Sequence, residues 1–455
     1  MASNDNNNKK TDNRYRTLQN VLVAILRILI GGVFIYSGFV KGVDIWGLQY
    51  KVEDYLNAFG WTWALPLSSF VSVVLPLFEF VMGGLLLLGS FRRATVIVLL
   101  LCMLVMLPLS FYVMIANPVA DCGCFGDAWV ISNTATFVKN IFITAGLVWL
   151  LKANVRLRSL FGPAVQWLTA LLPGVFLIYV AGYGNFVQPM LDFRPYKLGT
   201  SVVAPETQAD DDDFVFVYEK DGIRKEFTID NLPDSTWTFF DRHERAQTQD
   251  GGNAVADYRG IPIYDGDEEI SSLIIPRKGE AILILMSDME EIDALTSFRL
   301  NDLNDLAAAE GVPMICLTGS SDEQLSEWRE LSLSFFPVYH VDGKLMTTIA
   351  RGNPAVVWLK DGVIRYKSTF DALYDHMEAY LSGNKEEKDV VLEEGVDARH
   401  TLIGLSLLLV VSLSLLLLIN RSPLLIKFGL RLRKNQNNKV SLSQKKDLHS
   451  KSIEK

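Results

Sequence analysis

At 455 residues the chain is too long for one ordinary core, and 49% hydrophobic residues with a positive mean hydropathy argue against a purely soluble protein. The net charge of −9 averages an acidic middle block and basic ends, so it makes no case for nucleic acid as a partner.

The first 17 residues are polar and Asn-rich. Apolar runs of about 18 or more residues, each near the length needed to cross a bilayer, then appear at Leu18–Val40, Leu67–Leu88, Ala94–Ala116, Ala135–Leu151, Leu160–Ala181 and Leu402–Ile419. The first lacks a small-residue cleavage site and reads as a retained helix rather than a signal peptide. The fourth is the shortest and carries Lys139. The pattern predicts a five-helix membrane domain over residues 18–183, a polar block over 184–399, a sixth helix over 400–420 and a basic tail over 421–455. Beyond Asn435 that tail reads as disordered.

Charge predicts orientation. Lys9, Lys10, Arg14 and Arg16 precede the first run, Arg92 and Arg93 follow the second, and Lys152, Arg156 and Arg158 follow the fourth. Alternate connections are basic, as six spans with both termini in the cytoplasm require. Roughly 40 of the chain's 52 acidic residues fall in the polar block, which then lies on the other side. Trp46, Trp61 and Trp63 in the first outer loop fit an interfacial aromatic belt. For a bacterial inner membrane the outer compartment is the periplasm, where disulfides persist.

Charged residues inside a membrane are candidates for function. Arg27 and Glu79 each lie nine residues from the inner end of their apolar run, roughly 13–14 Å above the inner surface. Equal depth predicts an Arg27–Glu79 pair, either a salt bridge that holds the bundle together or a proton or quinone site. Cys102 sits at a similar depth and reads as a small buried hydrophobe. Gly31, Gly32, Gly38, Gly42, Gly83 and Gly84 offer small faces for close helix packing, and Pro173 is expected to kink the fifth helix.

The stretch "PVADCGCFGDAW" joins the third and fourth helices on the outer side and holds Cys122 and Cys124 with Gly123 between them. Residues two apart can meet the Cα spacing of a disulfide, in a strained and therefore easily reduced ring, and Gly123 widens the backbone's choices. Asp121 and Asp127 act against a thiolate. Without a nearby His, two Cys and two Asp make an unusual zinc set, so no metal is expected. A redox pair and a structural loop both remain open on these residues.

"RILIGGVFIYSGFVKG" followed by "PLFEFVMGGLLLLGSFRR" resembles the opening helix pair of the DoxX superfamily. "DCGCFGD" followed by "FVKNIFI" is similar to the loop and fourth helix of the MauE, or methylamine-utilisation, membrane proteins within it. The resemblance covers residues 18–151, with Lys139 where the family often has Arg. It implies disulfide formation or maturation of a periplasmic partner, with Cys122 and Cys124 as the exchanging, catalytic pair. Quinone-linked relatives in the superfamily make quinone a possible cofactor, with Arg27 and Glu79 as the intramembrane candidates.

In the polar block strand-like and helix-like pieces alternate. "DDFVFVYEKDGIRKEFTI" reads as a hairpin turned at Asp221-Gly222. A buried strand at Ala281–Met286, a helix, the strand "VPMICL", the helix "DEQLSEWREL", a hairpin turned at Asp361-Gly362 and a helix at Phe370–Leu381 follow. The expected fold is thus an α-helical membrane bundle of five plus one spans with an extracytoplasmic α/β domain in thioredoxin-like order. "IARGNPAVVWLKDGVI" resembles the end of a thioredoxin or TlpA-like redoxin, over about residues 254–382. Pro354 would be its partner-facing cis proline. Where such a fold carries Cys-x-x-Cys, this chain reads "LILMSDMEEIDAL", and Cys316 falls in a core strand. The domain is therefore expected to bind partners, such as periplasmic protein thiols or another thioredoxin-like protein, without exchanging thiols itself. Membrane thiol–disulfide exchange is the leading expectation, with a non-catalytic scaffold or a quinone-linked oxidoreductase subunit as alternatives.

Overall fold

The computed structural model describes residues 2–119, 121–153, 159–204, 214–220, 223–228, 232–233, 237–244, 258–265, 268–374, 381 and 398–421. The expected turn at Asp221-Gly222, residues 375–380 of the expected helix ending at Leu381, and the tail after Arg421 lie outside these residues. The chain divides into two compact units, Met1–Arg194 with Ser368–Lys455, and Pro195–Lys367.

The first unit is a helical bundle: α1 (Ala2–Val43), α2 (Ile45–Ala58), α3 (Ser68–Leu88), α4 (Arg92–Ala116), α5 (Asn133–Lys152), α6 (Leu168–Phe186) and α11 (Ala398–Arg421). Six spans are long and apolar enough to cross a membrane: Arg16–Val43, Thr62–Leu88, Arg92–Ala116, Asn133–Lys152, Pro163–Phe186 and Ala398–Arg421. They carry many exposed large apolar side chains, such as Leu104, Phe142 and Ile403, because lipid rather than water is their solvent. The core gathers Ile30, Val96, Leu99, Leu147 and Leu150 from α1, α4 and α5.

The closest approach is between α1 and α3. A Cβ at Gly83 would stand 2.7 Å from Ile35 N, and one at Gly38 would run into Phe80 N and stand 2.6 Å from Pro76 O. Side chains there would force the helices apart, so glycine lets backbone meet backbone. The turn from α3 to α4 is tight because Gly89 caps α3 with φ +68°, where other residues are strained.

α2 was not foreseen, because its sequence alternates aromatic and charged residues with no long apolar run. Asp44 starts it by accepting a hydrogen bond from Gly47 N at 3.0 Å. Its Trp46, Tyr50 and Tyr55 occupy the connection that the sequence marked as an interfacial loop.

The second unit holds α7 (Ser271–Ile274), β6 (Glu280–Met286), α8 (Ala294–Ala309), β7 (Met314–Thr318), α9 (Asp322–Ser332), β8 (Val338–His340), α10 (Gly343–Ile349), β9 (Ala355–Lys360) and β10 (Val363–Thr369). With β4 (Tyr264–Asp265) and β5 (Glu268–Glu269) they form a seven-stranded sheet in the order β10-β9-β6-β7-β8-β4-β5. β6 runs parallel to β7 and β7 to β8, while β9 returns antiparallel to β6. All but the first residue of β6 are buried, the signature of a strand covered on both faces. The hairpin between β9 and β10 turns at Asp361 and Gly362, both at positive φ, as a two-residue turn of that hand requires. The Asn353–Pro354 bond is cis. A smaller sheet, β2-β1-β3, joins β1 (Phe214–Lys220), β2 (Ile223–Thr228) and β3 (Thr238–Glu244), with all pairs antiparallel.

Candidate functional site

The loop between α4 and α5 folds back on α1, α2 and α5. Asp121 shapes it: Oδ1 accepts from Gly123 N at 2.8 Å, and Oδ2 pairs with Lys51 Nζ of α2 at 2.9 Å. Gly123 has φ +64°, and a Cβ there would stand 2.8 Å from Lys51 Cγ, so both conformation and space call for glycine. Phe125 is buried and anchors the far side of the loop. Its ring packs 5.4 Å from that of Tyr36 and 5.7 Å from that of Trp129, and Lys139 Nζ lies 4.4 Å from its centroid. Lys139, the blemish in the fourth apolar run, thus turns its charge toward the cysteine loop.

This geometry brings Cys122 and Cys124 together, with Sγ atoms 2.9 Å apart and both residues half-buried free thiols. Tyr55 donates to Cys122 O at 3.2 Å. The Cys122 thiol hydrogen bonds to Cys124, which holds the Cys124 thiol down to about 6. Burial opposes that, while the cations Lys139 and Lys41 add to it. The same bond, then burial, push Cys122 far up, so the pair is one thiol and one thiolate near neutral pH. Burial above all likewise raises the Tyr55 phenol and keeps it a donor. Asp121 was expected to act against a thiolate, but its charge is engaged by Lys51.

Beneath the loop Glu79 of α3 is buried and pairs with Lys41 of α1, whose Nζ lies 2.9 Å from both carboxylate oxygens. Ser37, one turn before Lys41, joins the two levels. Its Oγ lies 2.8 Å from Glu79 Oε2 and 2.7 Å from Cys124 O, and accepts from Lys41 Nζ at 3.1 Å. The single hydroxyl proton serves one of the two acceptors at a time.

The expected Arg27–Glu79 pair is corrected here: Glu79 pairs with Lys41, and Arg27 donates from Nε and Nη2 to Leu87 O at 3.2 and 2.6 Å. Leu87 is next to the last residue of α3, so α1 continues well below the turn that closes α3. Ser37 lies ten residues beyond Arg27, or about 15 Å along the helix. Counting each residue from the end of its own apolar run put two different depths on one level. Lys41 carries a readable signal, a lysine four residues after a serine near the end of an apolar span.

A cavity of about 440 Å³ lies along α4 and α5, lined by Leu107, Ile141, Thr144, Ala145, Val148, Trp149 and Lys152. Arg27 and Glu79 are not among its lining residues. Among the described residues no three His, Cys, Asp or Glu side chains gather as a metal set would.

In the second unit, Pro354 stands beside the loop after β6. Asn353 Nδ2 donates to Asp288 O at 2.6 Å, and Ser320 Oγ accepts from Met289 N at 3.0 Å. That loop holds Asp288, Met289, Glu290 and Glu291 and no cysteine. Cys316 is fully buried in β7, and burial drives its thiol well up.

The first unit is therefore that of a multi-pass helical membrane protein with a cysteine pair held in a polar loop at the ends of its helices. Residues 19–153 match the family described as methylamine utilisation protein MauE. Residues 213–247, which span β1–β3, match a domain of unknown function, DUF8463. Neither a curated protein nor a solved structure matches the chain.

Proposed function

We propose that this protein carries out thiol–disulfide exchange at the membrane, with Cys124 as attacking thiolate and Cys122 as the second thiol. The observation that carries the reading is the pair of free thiols 2.9 Å apart, flanked by Lys139 and Lys41; their shared hydrogen bond holds the Cys124 thiol down to about 6 and pushes that of Cys122 up. Thiolate character is what makes a cysteine a nucleophile. The match to MauE, a family described by methylamine utilisation, supports a role in maturing a partner protein.

In the exchange, Cys124 Sγ attacks one sulfur of a partner's disulfide. A mixed disulfide forms, the partner's S–S bond breaks, and its other sulfur leaves as a thiolate. That thiolate takes the Cys122 proton, and Cys122 Sγ then attacks Cys124 Sγ. A Cys122–Cys124 disulfide forms, the partner's second sulfur leaves, and the partner has gained the two electrons that the pair has lost. Run backward, the same steps oxidise a partner dithiol.

Arg92 and Arg93 after α3 and Lys152 at the end of α5 support cytoplasmic termini, with the cysteine loop and the α/β unit in the periplasm of a bacterial inner membrane. The order β6-α8-β7-α9 before Pro354 and the β9–β10 hairpin supports a thioredoxin-like reading of that unit. Lacking a dithiol beside Pro354, it would hold extended segments of the partner.

The test is exchange between the purified full-length protein in lipid nanodiscs and a peptide disulfide, with mixed disulfides trapped by acid and read by mass spectrometry. Trapping a Cys124 adduct in a Cys122→Ala variant supports the reading. Absence of any adduct across a hundredfold range of peptide would sink it.

A further inference from the structure

The glycine contacts of α1 and α3 bring the two backbones together at other positions than the Lys41–Glu79 pair. Burying two charges costs desolvation, and a buried pair is a poor source of stability compared with apolar packing. What distinguishes this pair is its place, linked to the Cys124 carbonyl through Ser37. We propose that Lys41, Glu79 and Ser37 are positioning residues that tune the reactivity of Cys124. Lys41 supplies positive field, Glu79 limits it, and Ser37 fixes the loop above the pair. This rests on the exchange reading of the loop and adds the residues that set its strength.

The charged and titratable groups facing Cys124 are Cys122 on the loop, Lys41 on α1, Glu79 on α3 and Lys139 on α5. α2 brings Tyr55 and the Lys51 that pairs with Asp121, and Asp127 completes the charges of the loop. With Cys124 ionised, Lys41 and Lys139 balance Cys124 and Glu79. Removing Lys41 leaves two anions against one cation and disfavours the thiolate, whereas neutralising Glu79 leaves an excess cation and favours it. The two substitutions must act in opposite directions, which loss of structure would not produce.

The experiment is iodoacetamide alkylation of Cys124 against pH, on full-length protein in nanodiscs with Cys102, Cys122 and Cys316 changed to alanine in every sample. Relative to that background, Lys41→Met is expected to raise the alkylation midpoint and slow the reaction about tenfold at pH 5. Glu79→Gln is expected to lower the midpoint and speed the reaction several-fold at the same pH. Equal midpoints in all three overturn the proposal. If Lys41→Met does not fold, Lys41→Met/Glu79→Gln is compared with Glu79→Gln alone, because no buried carboxylate is then stranded. A higher midpoint in the double variant supports the role of Lys41, and an identical one removes it. Peptide exchange by the unaltered pair is measured separately. Shifted midpoints without exchange would reject the exchange reading while leaving the tuning intact, and exchange with unshifted midpoints would do the reverse.

Discussion

Cys316 in the α/β unit and Cys124 in the membrane unit are both withdrawn from water, yet their thiols move in opposite directions. Around Cys316 the strands β6, β7 and β8 supply apolar side chains, and desolvation drives the thiol up. Around Cys124 the same penalty is outweighed by the Cys122 S–H and by the cations Lys139 and Lys41. Burial alone silences a cysteine, whereas burial beside a donor and fixed positive charge activates it. The loops show the same contrast. The loop after β6 is pinned by Asn353 and Ser320 and presents carboxylates, whereas the loop after α4 is pinned by Asp121 and Phe125 and presents thiols.

The comparison can be broken most sharply at the thiols. Cys124→Ser should reduce peptide exchange to the uncatalysed level, whereas Cys316→Ala should leave it unchanged; a drop in the second, in protein that still folds, would show that the buried thiol takes part. Stability offers the next largest effect. Lys41→Met strands Glu79 in the bundle and should cost about 3–5 kcal/mol in a denaturation series, most of it recovered by removing Glu79 as well. A smaller loss is expected for Gly123→Ala, which combines positive φ with crowding against Lys51. About 1–3 kcal/mol of local strain should slow Cys124 alkylation by loosening the loop, readable as higher hydrogen exchange over residues 121–127.

The pH profile sharpens the contrast further. A thiol held at about 6 is ionised above that value, so alkylation of Cys124 should fall as pH drops through 6 and stay level from 7 upward. Cys316 should resist the reagent across the same range. Lys139→Met should raise the Cys124 midpoint at least as far as Lys41→Met does, since Lys139 acts on that thiol more strongly than Lys41; an unchanged midpoint would remove it from the thiol's electrostatics.

Much of this was legible in the chain. The six spans could be found because a lipid-facing helix must be apolar along its whole length. The hairpin at Asp361-Gly362 and the strands β6 and β7 carried equally local signals. The helix α2 was not legible, since its 14 residues hold no long apolar run and mix aromatic, charged and polar side chains. Pairing inside the bundle was not legible either. Arg27 and Glu79 have matched offsets along their own runs, but the glycine register of α1 against α3 sets Glu79 beside Lys41 instead.

By itself, then, the sequence determined where the chain enters lipid, that Cys122 and Cys124 share one short loop, and that the α/β unit carries no paired thiols. Those properties follow from local composition and from spacing along one segment. Which charges face the thiols was decided by tertiary structure alone. Lys41, Ser37, Tyr55, Glu79 and Lys139 come from four separate helices, and an electrostatic effect depends on distance in space rather than on separation along the chain.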